Sequence, residues 1–330
     1  MKEKEVLLDA RELKKYFCVK KSFREEKRRY LKAVDGISLR VYKGETLGLV
    51  GESGCGKSTL GRTILRLHDV TGGTVKYKGE DITTLKAQEM RPYRKRMQMI
   101  FQDPYASLNP KMTIRRAIED PLLVYHETDA GKRKEKVESV MEYVGIPSHM
   151  ADRYPHELSG GQRQRAVIAR AMVLEPEFMV GDEPVSALDV SIRSQVLNLM
   201  KEIQEQMGMS YLFISHDLSV VRYLCDRVAV MYLGKIVEMG TKEEIFGHAC
   251  HPYTQALLSA IPIPDVHAKQ QEILLAGDVP SPLHPPRGCR FCTRCPYAKE
   301  ICSEVEPVMD GEEGHQVACH LRTSGQGMLS

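Results

Sequence analysis

Short apolar runs, each stopped by glycine or polar residues, alternate along this chain with stretches of helical period. Thr46-Leu47-Gly48-Leu49-Val50 reads as a buried strand, as do Met97-Gln98-Met99-Ile100-Phe101, Phe178-Met179-Val180-Gly181 and Tyr211-Leu212-Phe213-Ile214-Ser215. Runs of β type cover residues 5 to 17 and 36 to 50, with Tyr42-Lys43-Gly44-Glu45 as a turn signal, and a turn-rich strand pair follows at Gly72 to Gly79. Leu60 to Leu67 has helix-forming character. Lys132 to Val144 sets Val137, Val140, Met141 and Val144 at i, i+3, i+4 and i+7, the period of an amphipathic helix. With the apolar-periodic run through Val167, Ile168, Ala171 and Met172, this gives a helical insertion at about residues 103 to 172. Lys20 to Lys32, dense in lysine and arginine, reads as a solvated loop.

What stands at the ends of the apolar runs carries the chemistry. Val50 leads into Gly51-Glu52-Ser53-Gly54-Cys55-Gly56-Lys57-Ser58-Thr59, the P-loop pattern in its required place between a strand and a helix. Glycines 51, 54 and 56 let successive N–H groups turn toward an anion, and the following helix N-terminus adds partial positive charge. Lys57 then reaches the β- and γ-phosphates, and the Ser58 hydroxyl takes a place on Mg²⁺. The second run ends in Gln102. The third delivers Asp182 and Glu183, a Walker B arrangement with Asp182 holding Mg²⁺ and Glu183 polarising water as general base. The fourth presents His216-Asp217. Leu158-Ser159-Gly160-Gly161-Gln162 opens a helix with Ser159 as N-cap and is a second anion site, one with no lysine. Gly181 has no account from the sequence, and His156-Glu157, lacking a second histidine at metalloprotease spacing, reads as structural.

At 330 residues the chain can form one large domain with an appendage, or two domains, and its 42% hydrophobic and 28% charged content is ordinary for a soluble protein. A net charge of +3 demands no polyanionic partner, so no nucleic acid is expected. Met1 to Glu5 leads to no signal-peptide core, and no stretch approaches roughly 18 consecutive apolar residues. A cytosolic chain that does not itself cross a membrane is the expectation. Of nine cysteines, Cys289, Cys292, Cys295, Cys302 and Cys319 crowd the last 42 residues, where clustered thiolates in a cytosolic protein more often bind metal or do redox work than form disulfides.

With the P-loop, Gln102, Leu158 to Gln162, Asp182-Glu183, Ser186-Ala187-Leu188-Asp189 and His216 in this order, the chain resembles an ABC transporter ATP-binding subunit over about residues 5 to 262. The resemblance implies an α/β fold: a P-loop NTPase core with an antiparallel β subdomain, a helical subdomain and, here, a cysteine-rich C-terminal extension. The nucleotide-binding domain would cover 1–262 and the extension 263–330. It also implies that Gln102 senses Mg²⁺ and the water and couples to the membrane subunit, that His216 meets the γ-phosphate, and that Asp189 organises the opposing subunit's site. Ser159, Gly160 and Gly161 would act in trans on ATP held by a partner's P-loop, so an isolated subunit should hydrolyse ATP poorly. Adenine would stack on Phe17, with Tyr16 and Tyr30 as rivals. Every catalytic position keeps the family's residue type, implying an active ATPase.

Gln102 to Pro110, His251-Pro252-Tyr253-Thr254-Gln255-Ala256-Leu257-Leu258 and the cysteine tail are similar to the oligopeptide/dipeptide importer branch, in particular to its second ATPase subunit. That implies a second ATPase, identical or different, two integral membrane permease subunits and an extracytoplasmic solute-binding protein, with this chain peripheral on the cytoplasmic face of the membrane. Related importers of nickel or glutathione share the features. A soluble ABC protein acting on ribosomes or DNA would usually carry two ATPase domains or a coiled-coil insertion, and an exporter ATPase lacks this tail. The branch's C-x₅-C-x₆-C…C pattern places a [4Fe–4S] cluster on Cys289, Cys295, Cys302 and Cys319, leaving Cys292 as an extra thiol. Zinc, no metal, or a ferredoxin-like grouping through Cys292 stay open. The simplest role is a staple for the Pro-rich stretch Ile263 to Pro286, with Cys295→Ser loosening residues 285 to 322 without altering ATP affinity.

Overall fold

The computed structural model describes residues 4–19, 29–261, 273–312 and 314–322. The chain divides into two compact units, one of Met1–Glu5, Val41–Thr46 and Leu85–Ile214, the other of Val6–Arg40, Leu47–Thr84 and Ser215–Ser330.

In the first unit the strands Met97–Ile100, Phe178–Asp182 and Ser210–Ile214 run parallel, with Ile100 opposite Gly181 and Asp182 opposite Ile214. Every residue of the last two is buried. That is why they read as unbroken apolar runs: strands covered on both faces have no polar side to alternate with. Helices Ile114–Val124, Ala130–Tyr143, Gly160–Met172 and Val190–Met207 surround them in sequence. The helical period at 132 to 144 is realised. The helix is N-capped by the Asp129 carboxylate, which accepts from the amides of Gly131 and Lys132, and it buries Val137 and Met141. Gly208 at φ 63 closes the longest helix in the left-handed conformation that glycine tolerates.

The second unit contains an antiparallel sheet in the order Arg29–Tyr42, Val6–Val19, Gly72–Tyr77, Glu80–Asp81. Arg29 to Lys32 therefore belong to a strand rather than to the solvated loop expected, while residues 20–28 of that stretch lie outside the described residues. In the same unit Leu47 to Val50 pair in parallel with Arg227 to Val230. Lys235–Thr241 folds back antiparallel on Arg227–Tyr232, and two tail strands, His315–Val317 and Asp310–Glu312, extend from it with Glu238 opposite Val317. The cysteine tail thus adds strands to the ladder that begins beside the P-loop, which its Pro- and Cys-rich composition did not suggest. Residues 263–272 of the Pro-rich stretch lie outside the described residues. The helix expected at Leu60 to Leu67 runs Lys57–Ile64, because Gly56 takes the N-cap and Arg66 at φ 54 ends the run. Among the described residues no helix is long and apolar enough to cross a membrane.

Candidate functional site

The phosphate loop is closed on itself. Lys57, buried, donates from Nζ to the carbonyl oxygens of Gly51 at 2.7 Å and Glu52 at 2.9 Å. Two glycines permit this path. Gly51 and Gly56 hold φ of 152° and 110°, and a Cβ on them would overlap the carbonyl oxygens of Met231 and Ala33. Ser53 and Gly54 are exposed at the tip, Ser58 and Thr59 are half-buried, and Cys55 is buried, which pushes its thiol pKa up against the lowering influence of Lys57. The Glu52 amide donates to the Tyr253 hydroxyl at 2.8 Å.

Phe17 lies half-buried near the end of Val6–Val19, edge-on to His68 with ring centroids 5.5 Å apart and with Lys15 Nζ 5.0 Å from its ring. Of its rivals, Tyr16 is committed through its hydroxyl to Asp35, while Tyr30 stands exposed in Arg29–Tyr42. His216 is exposed just beyond Ser210–Ile214, and Asp217 next to it caps Leu218–Leu224 by accepting from the Ser219 amide at 2.9 Å.

In the other unit, Gln102 and Glu183 meet: Gln102 Nε2 donates to Glu183 Oε2 at 2.9 Å. Asp182 is the last residue of its strand and 1% exposed. Glu183 follows at φ 49, in the left-handed region, its amide donating to the Ile214 carbonyl at 3.0 Å. Gly181 now has a reason, since a Cβ there would lie 3.3 Å from Pro184 Cγ and 3.6 Å from the Phe213 ring.

Ser159 is the N-cap expected. Its hydroxyl accepts from the Gln162 amide at 3.3 Å, and the Gln162 side chain accepts from the Ser159 amide at 3.0 Å, a capping box. Gly160 is half-exposed, but Gly161 is buried, and a Cβ on it would overlap Ile192 Cγ2. Ile192 is held by Asp189, whose Oδ1 accepts its amide at 3.0 Å and caps Val190–Met207. The segment after Gln102 is also tied to this helix, Arg163 stacking 3.6 Å from the Tyr105 ring centroid and Arg170 donating to the Ser107 carbonyl.

The five clustered thiols, Cys289, Cys292, Cys295, Cys302 and Cys319, line one small pocket with His251, Phe291, Tyr297 and Leu321. Burial and the neighbouring sulfurs push Cys289 up to about 12 and raise Cys292, Cys295 and Cys319, while backbone N–H groups of Phe291, Tyr297 and Leu321 counter this at Cys289, Cys295 and Cys319. Soft sulfur donors around one pocket match in type what zinc or an iron–sulfur cluster takes, although among the described residues these sulfurs are not the ligand atoms gathered within 4.8 Å of one another. A second group, Glu238, Cys250 and His315, brings its ligand atoms within 4.8 Å of one another. There the Glu238 carboxylate already accepts from the amides of Cys250 and His251 and pairs with His315 Nε2, which makes it a structural hub.

Sequence reasoning missed how the tail reaches the phosphate loop. Arg294 Nη1 donates to both carboxylate oxygens of Glu52, at 3.0 and 2.8 Å, and Arg290 pairs with Asp35. Neither an arginine between two cysteines nor the tyrosine of His251-Pro252-Tyr253 carries a local signal for these contacts.

The ABC transporter family model matches residues 34–186, and that of the oligopeptide/dipeptide transporter C-terminal region matches 237–302. The oligopeptide transport ATP-binding protein AppF of Bacillus subtilis is 52% identical over 96% of this chain and 98% of its own length. OppF of Salmonella typhimurium, also an oligopeptide transport ATP-binding protein, is 50% identical over 97% of each chain, and the dipeptide transport ATP-binding protein DppF of Haemophilus influenzae is 49% identical over 97% and 98%. Among solved structures, the dimeric post-hydrolysis ATP-binding cassette MJ0796 bound to ADP and phosphate matches 72% of this chain and 99% of its own at TM-score 0.64 and 25% identity. A nucleotide-free ABC transporter cassette matches 72% and 92% at TM-score 0.61 and 28% identity. With an α/β P-loop fold and full-length relatives of this kind, the chain belongs to the ABC transporter ATP-binding subunits of the oligopeptide/dipeptide branch.

Proposed function

We propose that this chain is the ATP-hydrolysing subunit that energises import of di- and oligopeptides through membrane permease subunits. The observation that carries the reading is the identity of about half its residues, over nearly its whole length, with ATP-binding proteins of peptide transport. In this reading residues 1–262 form the nucleotide-binding domain, with its helical subdomain at about 103–172, and 263–330 the cysteine-rich extension. The subunit works peripherally on the cytoplasmic face of the membrane with a second ATPase, two permeases and an extracytoplasmic solute-binding protein.

Lys57 leaves its own loop carbonyls for the β- and γ-phosphates when nucleotide enters, exchanging two neutral acceptors for charged ones. The P-loop amides from Gly51 to Thr59 cradle the phosphates, and Phe17 offers a π face to adenine. Ser58, Asp182 and Gln102 would be the residues to hold Mg²⁺, which would supply charge neutralisation for the leaving phosphates. Gln102 orients Glu183, Glu183 takes the proton of the attacking water, and His216 contacts the γ-phosphate. Ser159, Gly160 and Gly161, positioned by Leu188, Asp189 and Ile192, serve the ATP of the partner ATPase. Cys289, Cys295, Cys302 and Cys319, with Cys292 as the alternative thiol, would hold a [4Fe–4S] cluster, with zinc or no metal as the other readings; a bound centre would supply a cross-link for a short tail.

The test is uptake of labelled di- and oligopeptides in a strain lacking this chain, with and without its restoration, combined with a pull-down from membranes. Restored ATP-dependent peptide uptake and co-purification of two permeases support the reading. Unchanged peptide uptake with restored uptake of nickel or glutathione moves the solute. Capture of ribosomes or DNA in place of permeases overturns it.

A further inference from the structure

The thiol-lined loop and the phosphate loop hold the same residue. Arg294, two residues after Cys292 and one before Cys295, grips the Glu52 carboxylate with a side chain 9% exposed. Glu52 is held a second time through its amide, which donates to the Tyr253 hydroxyl at 2.8 Å. Tyr253 packs on Phe291 with ring centroids 5.4 Å apart, and Phe291 lies edge-on to Tyr232 at 5.3 Å. Phe291 is itself 1% exposed and lines the thiol pocket. One grip on Glu52 therefore comes from a residue between two of the cysteines, and the other from Tyr253, which packs on Phe291 between Cys289 and Cys292.

A carboxylate on a loop built to receive a polyphosphate opposes its ligand, and a poorly hydrated guanidinium across it removes that opposition. Residues 289 to 295 are held internally by two short turns, Cys292 N–H to the Cys289 carbonyl at 3.1 Å and Arg294 N–H to the Phe291 carbonyl at 3.0 Å. The segment is also anchored by buried Phe291, by Arg290 on Asp35 and by Cys289 N–H to the Cys302 carbonyl at 2.8 Å, and whatever joins the thiols adds to these few contacts in setting its shape.

We propose that Arg294 is a positioning residue through which the state of the thiol pocket sets nucleotide affinity. With the thiols joined by a metal centre, Arg294 stays on Glu52 and the phosphate loop presents a neutralised face. With the thiols released, Arg294 withdraws and Glu52 confronts the triphosphate with a full negative charge. The inference rests on the reading of the chain as an ATP-binding subunit and of the thiols as one ligand set, and it replaces the expectation that Cys295→Ser leaves ATP affinity unchanged.

The test titrates a fluorescent ATP analogue with Mg²⁺ into the full-length chain, purified without oxygen, as wild type, Arg294→Ala, Arg294→Lys, Cys295→Ser, and each of these on a Glu52→Gln background. Metal content and amide exchange of residues 51–59 are measured alongside. We expect Arg294→Ala and Cys295→Ser each to weaken binding roughly three- to tenfold and to speed exchange at Glu52, Arg294→Lys to recover most of the affinity, and all three to be without further effect on Glu52→Gln. A loss that persists on the Glu52→Gln background shows general damage to the fold and overturns the proposal, as does wild-type affinity in Arg294→Ala. Wild-type affinity in a metal-depleted Cys295→Ser overturns the link to the pocket. A wild type that binds no analogue overturns the ATP-binding reading itself, a result distinct from all of these.

Discussion

Gln102 Nε2 and Glu183 Oε2 are joined at 2.9 Å, which fixes one carboxylate oxygen of Glu183 from a residue 81 positions away in sequence. Glu183 also sits at φ 49, a conformation costly for a residue with a Cβ, so its placement is over-determined by side chain and backbone together. Glu183→Gln should bind ATP normally while abolishing turnover in the assembled transporter, measured by analogue titration and phosphate release. Gln102→Ala should lower turnover by at least about tenfold, since it frees the carboxylate that Gln102 Nε2 holds at 2.9 Å. Normal turnover in Glu183→Gln would remove Glu183 from the base role.

Gly161 is a packing residue. A Cβ there would overlap Ile192 Cγ2, so Gly161→Ala should destabilise the fold by about 1–3 kcal/mol in chemical denaturation. Adding Ile192→Ala should recover part of that loss by removing the obstructing methyl. If the double variant is no more stable than Gly161→Ala, the contact is not the cause.

At Gly56, steric overlap and positive φ act together. Gly56→Ala should weaken nucleotide binding by at least about tenfold, because the loop must move off the Ala33 carbonyl to accept a Cβ. Gly54, with nothing within 4 Å of its would-be Cβ, is the control, carrying only the cost of its φ of 79°.

His251 links pH to stability. Burial lowers its pKa from 6.5 to about 4, the nearby Glu238 charge opposing the shift, and its Nδ1 accepts the Tyr253 amide at 3.1 Å. Between those values the unfolded chain takes up a proton that the folded one refuses. Stability from this group is therefore complete above pH 6.5 and falls by up to ~3 kcal/mol as pH drops toward 4. The Glu238 carboxylate, held below its ordinary 4.5 despite burial by hydrogen bonds from His315 and neighbouring groups, is lost only at lower pH. His251→Asn keeps an acceptor at the helix N-cap and should flatten the decline of the thermal midpoint between pH 7 and 5; an unchanged slope would assign the decline to other groups.

The sequence by itself determined the four apolar strands that lead into Gly51, Gln102, Asp182-Glu183 and His216. Fully buried parallel strands such as Phe178–Asp182 must be continuously apolar, and the P-loop glycines follow from local backbone demands that neighbours in the chain already express. It determined the Ser159 cap for the same reason, since a capping box closes within four residues. It left Gly181 and Gly161 unexplained or half-explained, because the Pro184 ring that crowds a Cβ on the one and the Ile192 methyl that overlaps a Cβ on the other act only once the chain has folded back. Only the tertiary structure decided that Arg29 to Lys32 join a strand and that the tail extends the ladder through Glu238 and Val317. It alone decided that Arg294 closes on Glu52, 242 residues away. Such a pairing leaves no periodicity or spacing to read, since an ion pair is made by side chains that meet in space, and nothing local to either residue records the partner.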